Sequence, residues 1–315
     1  MACRPPAWQR PAGAAGGDAR DGGDRAGAGH HSRFSARERG GAAGGDPRLC
    51  RAWPPGGGWT QRDPGHAWLY QRAGHDPAGR HAASIDPRTG RRYGSRFPAI
   101  TVADIVAAQR AALERMGVRH LRAVIGPSYG GFQAFQWAVS HPDFMDGIVP
   151  VVTSPLPPQS DRVAGLRAWF EPDPAWNGGD YYETGDVKGT LTRLRVDTLT
   201  RYGLLDSLAP RFPDAAARAA ELERMAAAWA AGFDANSLFV LGRAMERYDI
   251  TRHYARIRVP VLYVLSRTDA LFPPSLAPTV MDGLRAAGVD ATYVLLDSEH
   301  GHLASGADAD KWAPA

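Results

Sequence analysis

The alternation of apolar and polar positions is clearest in the middle of the chain. Val102, Ile105, Val106, Ala112, Leu113 and Met116 recur at helical spacing as far as Gly117, with Gln109 the one polar residue on that stripe. Thr101 and Asp104 stand where a capping box starts such a helix. Residues 121–125 form a short apolar run of the buried-strand type, 132–140 a helical stretch stopped at His141-Pro142, and 147–153 a second strand. Strand–helix–strand order with short loops predicts a parallel α/β sheet. Residues 155–185 are instead rich in Pro, Trp, Asp and Gly, and three helical stretches follow near 187–203, 214–231 and 236–248. The sheet pattern resumes with a strand at 259–265, a helix at 277–287 ended by Gly288, and a strand at 291–296. The helical block, about 155–255, reads as a lid inserted between two halves of one α/β domain covering 84–315.

Composition separates this domain from what precedes it. Residues 1–80 contain no Val or Ile, yet hold 17 of the 36 glycines and 12 arginines. Strands need β-branched and aromatic residues, and a core needs aliphatics, so residues 1–83 are expected to be disordered and the early strands missing or replaced. A Gly, Ala, Arg and Pro mixture is also what GC-rich DNA yields when translated out of frame, and the whole chain has just two lysines, Lys188 and Lys311. The formal charge of +4 comes largely from this segment. Without aromatic–basic periodicity it reads as a solvated tail rather than a nucleic-acid reader. Both cysteines, Cys3 and Cys50, lie in it, which removes thiol catalysis and disulfides from the core, and no spacing suggests a metal site. No apolar run reaches the length of a membrane span and no signal peptide is apparent, so the expected compartment is the cytoplasm.

The chemistry centres on Gly126-Pro127-Ser128-Tyr129-Gly130. This matches the G-x-S-x-G nucleophile elbow and lies, as that motif requires, between a strand and a helix. A serine needs a base to take its proton and an acid to orient the base. Asp269 follows the strand 259–265 and His302 follows 291–296, both past the strand ends where open α/β sheets build sites. The order Ser, Asp, His is that of the α/β-hydrolase fold. Spacing leaves His300 as a rival to His302. Asp206, Asp234 and Asp249 read as surface charges of the lid, Asp297 sits on the wrong loop for an orienting acid, and His141 reads as a helix C-terminal cation. The backbone N–H of Tyr129 would be one oxyanion-hole donor. The second should come from a loop after an early strand, and no such strand is visible before Ser84.

Several stretches in order resemble the homoserine O-acetyltransferase family from about Ser84 to the C-terminus. They are Ser84-Ile85-Asp86-Pro87-Arg88-Thr89-Gly90, Tyr93-Gly94-Ser95-Arg96-Phe97-Pro98, the elbow region with Gln133 and Trp137, Asp173-Pro174-Ala175-Trp176-Asn177-Gly178-Gly179, Asp234-Ala235-Asn236-Ser237, and Asp269-Ala270-Leu271-Phe272-Pro273-Pro274. The resemblance implies an acyl-enzyme on Ser128, with Asp269 and His302 completing the triad. The Gly301-His302 pair selects His302 over His300. It also implies acyl-CoA as co-substrate with no bound cofactor, small-molecule acyl donor and acceptor as the partners, and a homodimer as the assembly to test. The departures point away from homoserine itself. Leu303 stands where the family has an Asp beside the catalytic His, and Thr200-Arg201-Tyr202-Gly203 replaces the family's Thr-Tyr-Arg-Ser. An amino-acid acceptor would thereby lose its ammonium partner. An esterase-type hydrolase is the first alternative and a catalytically incomplete homologue the second.

Overall fold

The computed structural model describes residues 67–70, 82–156, 161–183 and 185–312. Five parallel strands pair in sequence order: β1 (Ala67–Tyr70), β2 (Leu121–Pro127), β3 (Ile148–Val151), β4 (Val261–Ser266) and β5 (Ala291–Leu296). The expected parallel α/β sheet is present, and the four strands foreseen from 121 onward stand close to their predicted bounds.

β1 corrects one expectation. It lies inside the segment read as disordered, and Trp68, Leu69 and Tyr70 pair with Ala123, Val124 and Ile125. An early strand is therefore not missing. Ala-Trp-Leu-Tyr is a four-residue run, too short for periodicity and set among glycines, so composition over a long window hid it. The remainder of the 1–83 segment, apart from 82–83, lies outside the described residues.

β2 leads into α2 (Tyr129–Ser140), whose residues are buried on almost every side from Tyr129 to Val139. A helix that is apolar all round belongs in a core. α2 packs against the sheet and against α1 (Val102–Arg115). The capping box that starts α1 forms as predicted, with Thr101 Oγ1 accepting from the Asp104 N–H and Asp104 Oδ2 accepting from the Thr101 N–H. Gln109, the polar break in the α1 stripe, donates to Gln133 Oε1 at 2.6 Å and accepts from Trp137 Nε1 at 3.0 Å. A half-buried amide is tolerated because both its ends are satisfied. On the same side, α8 (Ala277–Ala286) places Val280, Met281 and Leu284 in the main core.

Between β3 and β4 the chain builds the lid from α3 (Arg162–Phe170), α4 (Lys188–Arg201), α5 (Leu204–Leu208), α6 (Ala215–Gly232) and α7 (Ala235–Glu246). α3 and α5 exceed the three helical stretches expected. The lid has apolar clusters of its own, one around Phe170, Trp176 and Phe239 and another around Leu199, Leu204, Leu208 and Leu222.

Asp234 is a second correction. It is 6% exposed rather than a surface charge. It caps α7 through the Ser237 N–H and accepts from the hydroxyls of Tyr181, Tyr182 and Ser237 at 2.6, 2.9 and 2.8 Å. Asn236 donates to the Gly179 carbonyl at 2.7 Å. Two of the family-like stretches, 173–179 and 234–237, therefore hold the lid together. Asp206 and Asp249 are exposed, as expected.

Candidate active site

Ser128 sits on the turn between β2 and α2 with φ 53° and ψ −120°, a conformation that costs a non-glycine residue about 1–3 kcal/mol. Its neighbours show why the turn needs glycine at 126 and 131. A Cβ on Gly126 would lie 2.0 Å from the Gly130 carbonyl oxygen, and one on Gly131 would lie 2.2 Å from the Thr153 methyl. The turn is pinned by the Ser128 N–H, which donates to the Val151 carbonyl at 2.9 Å, and by the Thr153 hydroxyl, which donates to the Ser128 carbonyl at 2.8 Å. Tyr263 holds Thr153 in turn through its carbonyl. Val152 also has positive φ, 44°, and is buried where the chain leaves β3. This is a second strained residue beside the elbow, unusual for a β-branched side chain.

The loop after β4 carries Asp269, 2% exposed, and the turn after β5 carries His302, 5% exposed. His302 Nδ1 lies 2.9 Å from Asp269 Oδ2, and His302 Nε2 lies 2.9 Å from Ser128 Oγ. Asp269 is itself held, since its Oδ1 accepts from the N–H groups of Leu271 and Phe272 at 2.8 and 3.2 Å. Phe272 stacks on the His302 ring, and Tyr202 from the lid packs against it at 4.6 Å between centroids. Gly301 fits a tight crossing. Its φ is 54°, and a Cβ there would meet the Tyr202 carbonyl oxygen at 2.9 Å. The Tyr129 N–H stands at the first position of α2, where no intrahelical acceptor exists.

The structure thus brings Ser128, His302 and Asp269 into one hydrogen-bonded line. The rivals lie elsewhere. His300 Nδ1 is 2.9 Å from the hydroxyl of Ser207 in α5. Asp297 is exposed and paired with Arg267. His141 does cap the C-terminus of α2, but not as a cation. Burial, and then the Arg110 guanidinium, hold its pKa below the usual imidazole value, and Arg110 donates to its Nδ1 at 3.0 Å. Thr153, Phe272 and Tyr202 were not singled out as residues that position the site. Only Thr153, directly after the strand beside the elbow, left a positional signal. The loop after β1, where a second oxyanion donor would be sought, lies outside the described residues. Among the described residues no group of three or more His, Cys, Asp or Glu side chains is placed to hold a metal, and no helix is long and apolar enough to cross a membrane.

Residues 66–306 match the alpha/beta hydrolase fold family. A homoserine O-acetyltransferase from Haemophilus influenzae is 36% identical over 252 residues, which is 73% of this chain and 70% of that protein. The homoserine O-acetyltransferase of Symbiobacterium thermophilum is 36% identical over 244 residues, 70% of this chain and 64% of that protein. Among solved structures, a homoserine O-acetyltransferase from Bacillus anthracis superposes with a TM-score of 0.63 at 25% identity, covering 72% of this chain and 67% of that one. Esterase E22 superposes with a TM-score of 0.63 at 27% identity, covering 74% and 70%. These relatives are acyltransferases and hydrolases, and the chain belongs to the homoserine O-acetyltransferase family of α/β-hydrolase-fold enzymes.

Proposed function

We propose that the chain is a serine-dependent acyl-transfer enzyme that works through an acyl-enzyme on Ser128. The observation that carries this reading is the pair of 2.9 Å contacts joining Ser128 Oγ, His302 and Asp269. A carboxylate only accepts, so the Asp269 contact selects the imidazole tautomer with the proton on Nδ1. Nε2 is then free to take the Ser128 proton as Oγ attacks the donor's acyl carbonyl. The oxyanion that forms would meet the Tyr129 N–H. One such donor is worth about 3 kcal/mol of transition-state stabilisation. His302 returns the proton to the departing thiol of an acyl-CoA or alcohol of an ester, leaving the acyl group on Ser128. It then deprotonates the acceptor, a hydroxyl compound or water, which displaces the serine.

The homoserine O-acetyltransferase relatives favour a hydroxyl acceptor. Leu303 supports a second reading, hydrolysis, in which water is the acceptor. It is half-buried and packs against the Leu199–Leu204–Leu208 cluster of the lid. No carboxylate therefore follows His302 to receive an ammonium group, and homoserine is disfavoured as acceptor. Labelling by a fluorophosphonate probe tests the common core of both readings. Label is expected on the native protein and absent from Ser128→Ala, while no label on the native protein would leave a catalytically incomplete homologue. Turnover of acetyl-CoA or p-nitrophenyl acetate, with and without an added alcohol, separates the two. Turnover only with the alcohol excludes the hydrolase.

A further inference from the structure

The peptide unit that joins Ser128 to Tyr129 has two working ends. Its N–H is that of Tyr129, which the acyl-transfer reading gives to the oxyanion. Its carbonyl is that of Ser128, and in a planar trans peptide the two point in opposite directions. Two groups donate to this carbonyl, the Gly131 N–H at 2.8 Å and the Thr153 hydroxyl at 2.8 Å. The first is the three-residue bond often found in the opening turn of a helix. The second arrives from the end of another strand, 25 residues further along the chain.

Thr153 is fixed on every side. It is fully buried. Val152 ahead of it has φ 44°, and the Val152 N–H donates to the Val264 carbonyl at 2.8 Å. A positive φ in a β-branched residue is strain that the surroundings must impose, and here it turns the chain immediately before Thr153. The Thr153 carbonyl accepts from the Tyr263 hydroxyl at 2.8 Å. Its side chain packs over Gly131, where a Cβ would lie 2.2 Å from the Thr153 methyl and 2.7 Å from its hydroxyl oxygen. A β-branched side chain so confined keeps one χ1, and that χ1 aims the hydroxyl at Ser128. Valine has the same shape and would fill the space over Gly131 as well. The Ser128 carbonyl would also stay satisfied without Thr153, through the Gly131 N–H. What threonine adds is a second donor on this one carbonyl.

We propose that Thr153 is a positioning residue for the oxyanion hole and acts through the Ser128–Tyr129 peptide. This deepens the acyl-transfer reading and rests on it. A donor on a peptide carbonyl draws charge towards the oxygen and leaves the N–H of the same unit more positive. It also fixes the plane of the peptide, and with it the direction of the Tyr129 N–H, before charge develops on the substrate. Hydrogen bonds in such a chain strengthen one another by about 10–30% each. Losing an oxyanion donor outright costs about a hundred- to a thousandfold in kcat. The same fraction of that effect, on a logarithmic scale, is about two- to eightfold.

The test compares Thr153→Val and Thr153→Ser with the native protein on p-nitrophenyl acetate. Formation and breakdown of the acyl-enzyme both pass through an oxyanion. In Thr153→Val, kcat should therefore fall by about two- to eightfold with KM unchanged. Thr153→Ser keeps the donor and should lie closer to the native rate. Thr153→Ala also lacks the hydroxyl and keeps the test open if Thr153→Val does not fold. Inhibition separates the oxyanion from packing. Ser128 Oγ adds to the carbonyl carbon of trifluoroacetone, the serine proton passes to His302 Nε2, and the carbonyl oxygen becomes the anion. The Ki of trifluoroacetone should rise in Thr153→Val by about the factor by which kcat falls. The Ki of trifluoroisopropanol, which forms no adduct, should stay the same. An unchanged kcat in Thr153→Val overturns the proposal. So does a loss that Thr153→Ser does not recover, or an equal rise in both Ki values, since either marks a packing role. A native protein that takes no fluorophosphonate label refutes the acyl-enzyme, and the role of Thr153 with it. Label on the native protein, with undiminished rates in Thr153→Val, refutes Thr153 alone.

Discussion

Ser128 is held in a conformation that only glycine adopts without penalty, with φ 53° and ψ −120°. The surrounding structure imposes it. The β2 ladder, the Val151 carbonyl and the Thr153 hydroxyl fix the residue from both sides. The strain is about 1–3 kcal/mol, and glycine forfeits part of any gain through its freer unfolded chain. Ser128→Gly should therefore be more stable than Ser128→Ala by about 1 kcal/mol, since alanine keeps the Cβ that causes the strain. Both lose the hydroxyl, so the comparison cancels the broken contact to His302. Thermal unfolding of the two proteins checks it. A glycine variant no more stable than the alanine variant would mean that the elbow stores no strain.

At the scale of elements, α2 carries both the elbow and a pH-sensitive cap. His141 closes its C-terminus as a neutral acceptor from Arg110. Its pKa is depressed in the folded protein by burial first and by Arg110 second, with Glu114 opposing. Below the ordinary value of about 6.5 the unfolded chain takes up a proton that the folded chain resists. This contribution to stability is present above that value and is lost as the pH falls through the folded value. Melting temperatures recorded from about pH 8 to 5 should fall less steeply in His141→Gln, which can still accept from Arg110, than in the native protein. Parallel profiles would count against a neutral cap. The sequence made α2 plain and misjudged its cap, for related reasons. Helical periodicity and the strand before it are local, whereas the charge on a histidine depends on its burial in the fold and on an arginine 31 residues away. Asp234 was misread in the same way, since the Tyr181 and Tyr182 hydroxyls that bury it lie more than 50 residues back. β1 and α3 were missed because glycine, proline and tryptophan around them mask any period. Ser128, Asp269 and His302 were legible because each follows a strand at a position that parallel topology makes meaningful.

Across the whole molecule, the lid and the sheet meet at the turn that bears His302. Tyr202 covers the imidazole, Leu303 packs into the lid cluster, and Ser207 holds His300. The lid helices pack on one another through apolar clusters, and these reach the sheet domain through Leu303 and through Leu241 and Met245 of α7. The contact between Ser207 Oγ and His300 Nδ1, 2.9 Å across a part-buried junction, joins α5 to the residue two positions before His302. Removing the hydroxyl in Ser207→Ala should cost about 1 kcal/mol, the net value of one such bond. A loss confined to that junction would open the lid locally rather than unfold the chain. Amide hydrogen exchange should therefore quicken in α4, α5 and the 300–303 turn while the protection of β2, β3 and β4 is unchanged. The rate of fluorophosphonate labelling at Ser128 should fall as His302 loses its fixed orientation. Restoring a hydroxyl with Ser207→Thr should recover both. If exchange instead quickens equally in the lid and the sheet, lid and sheet open as one cooperative unit, and the junction at His300 is an ordinary packing contact rather than the point where the lid sets the base.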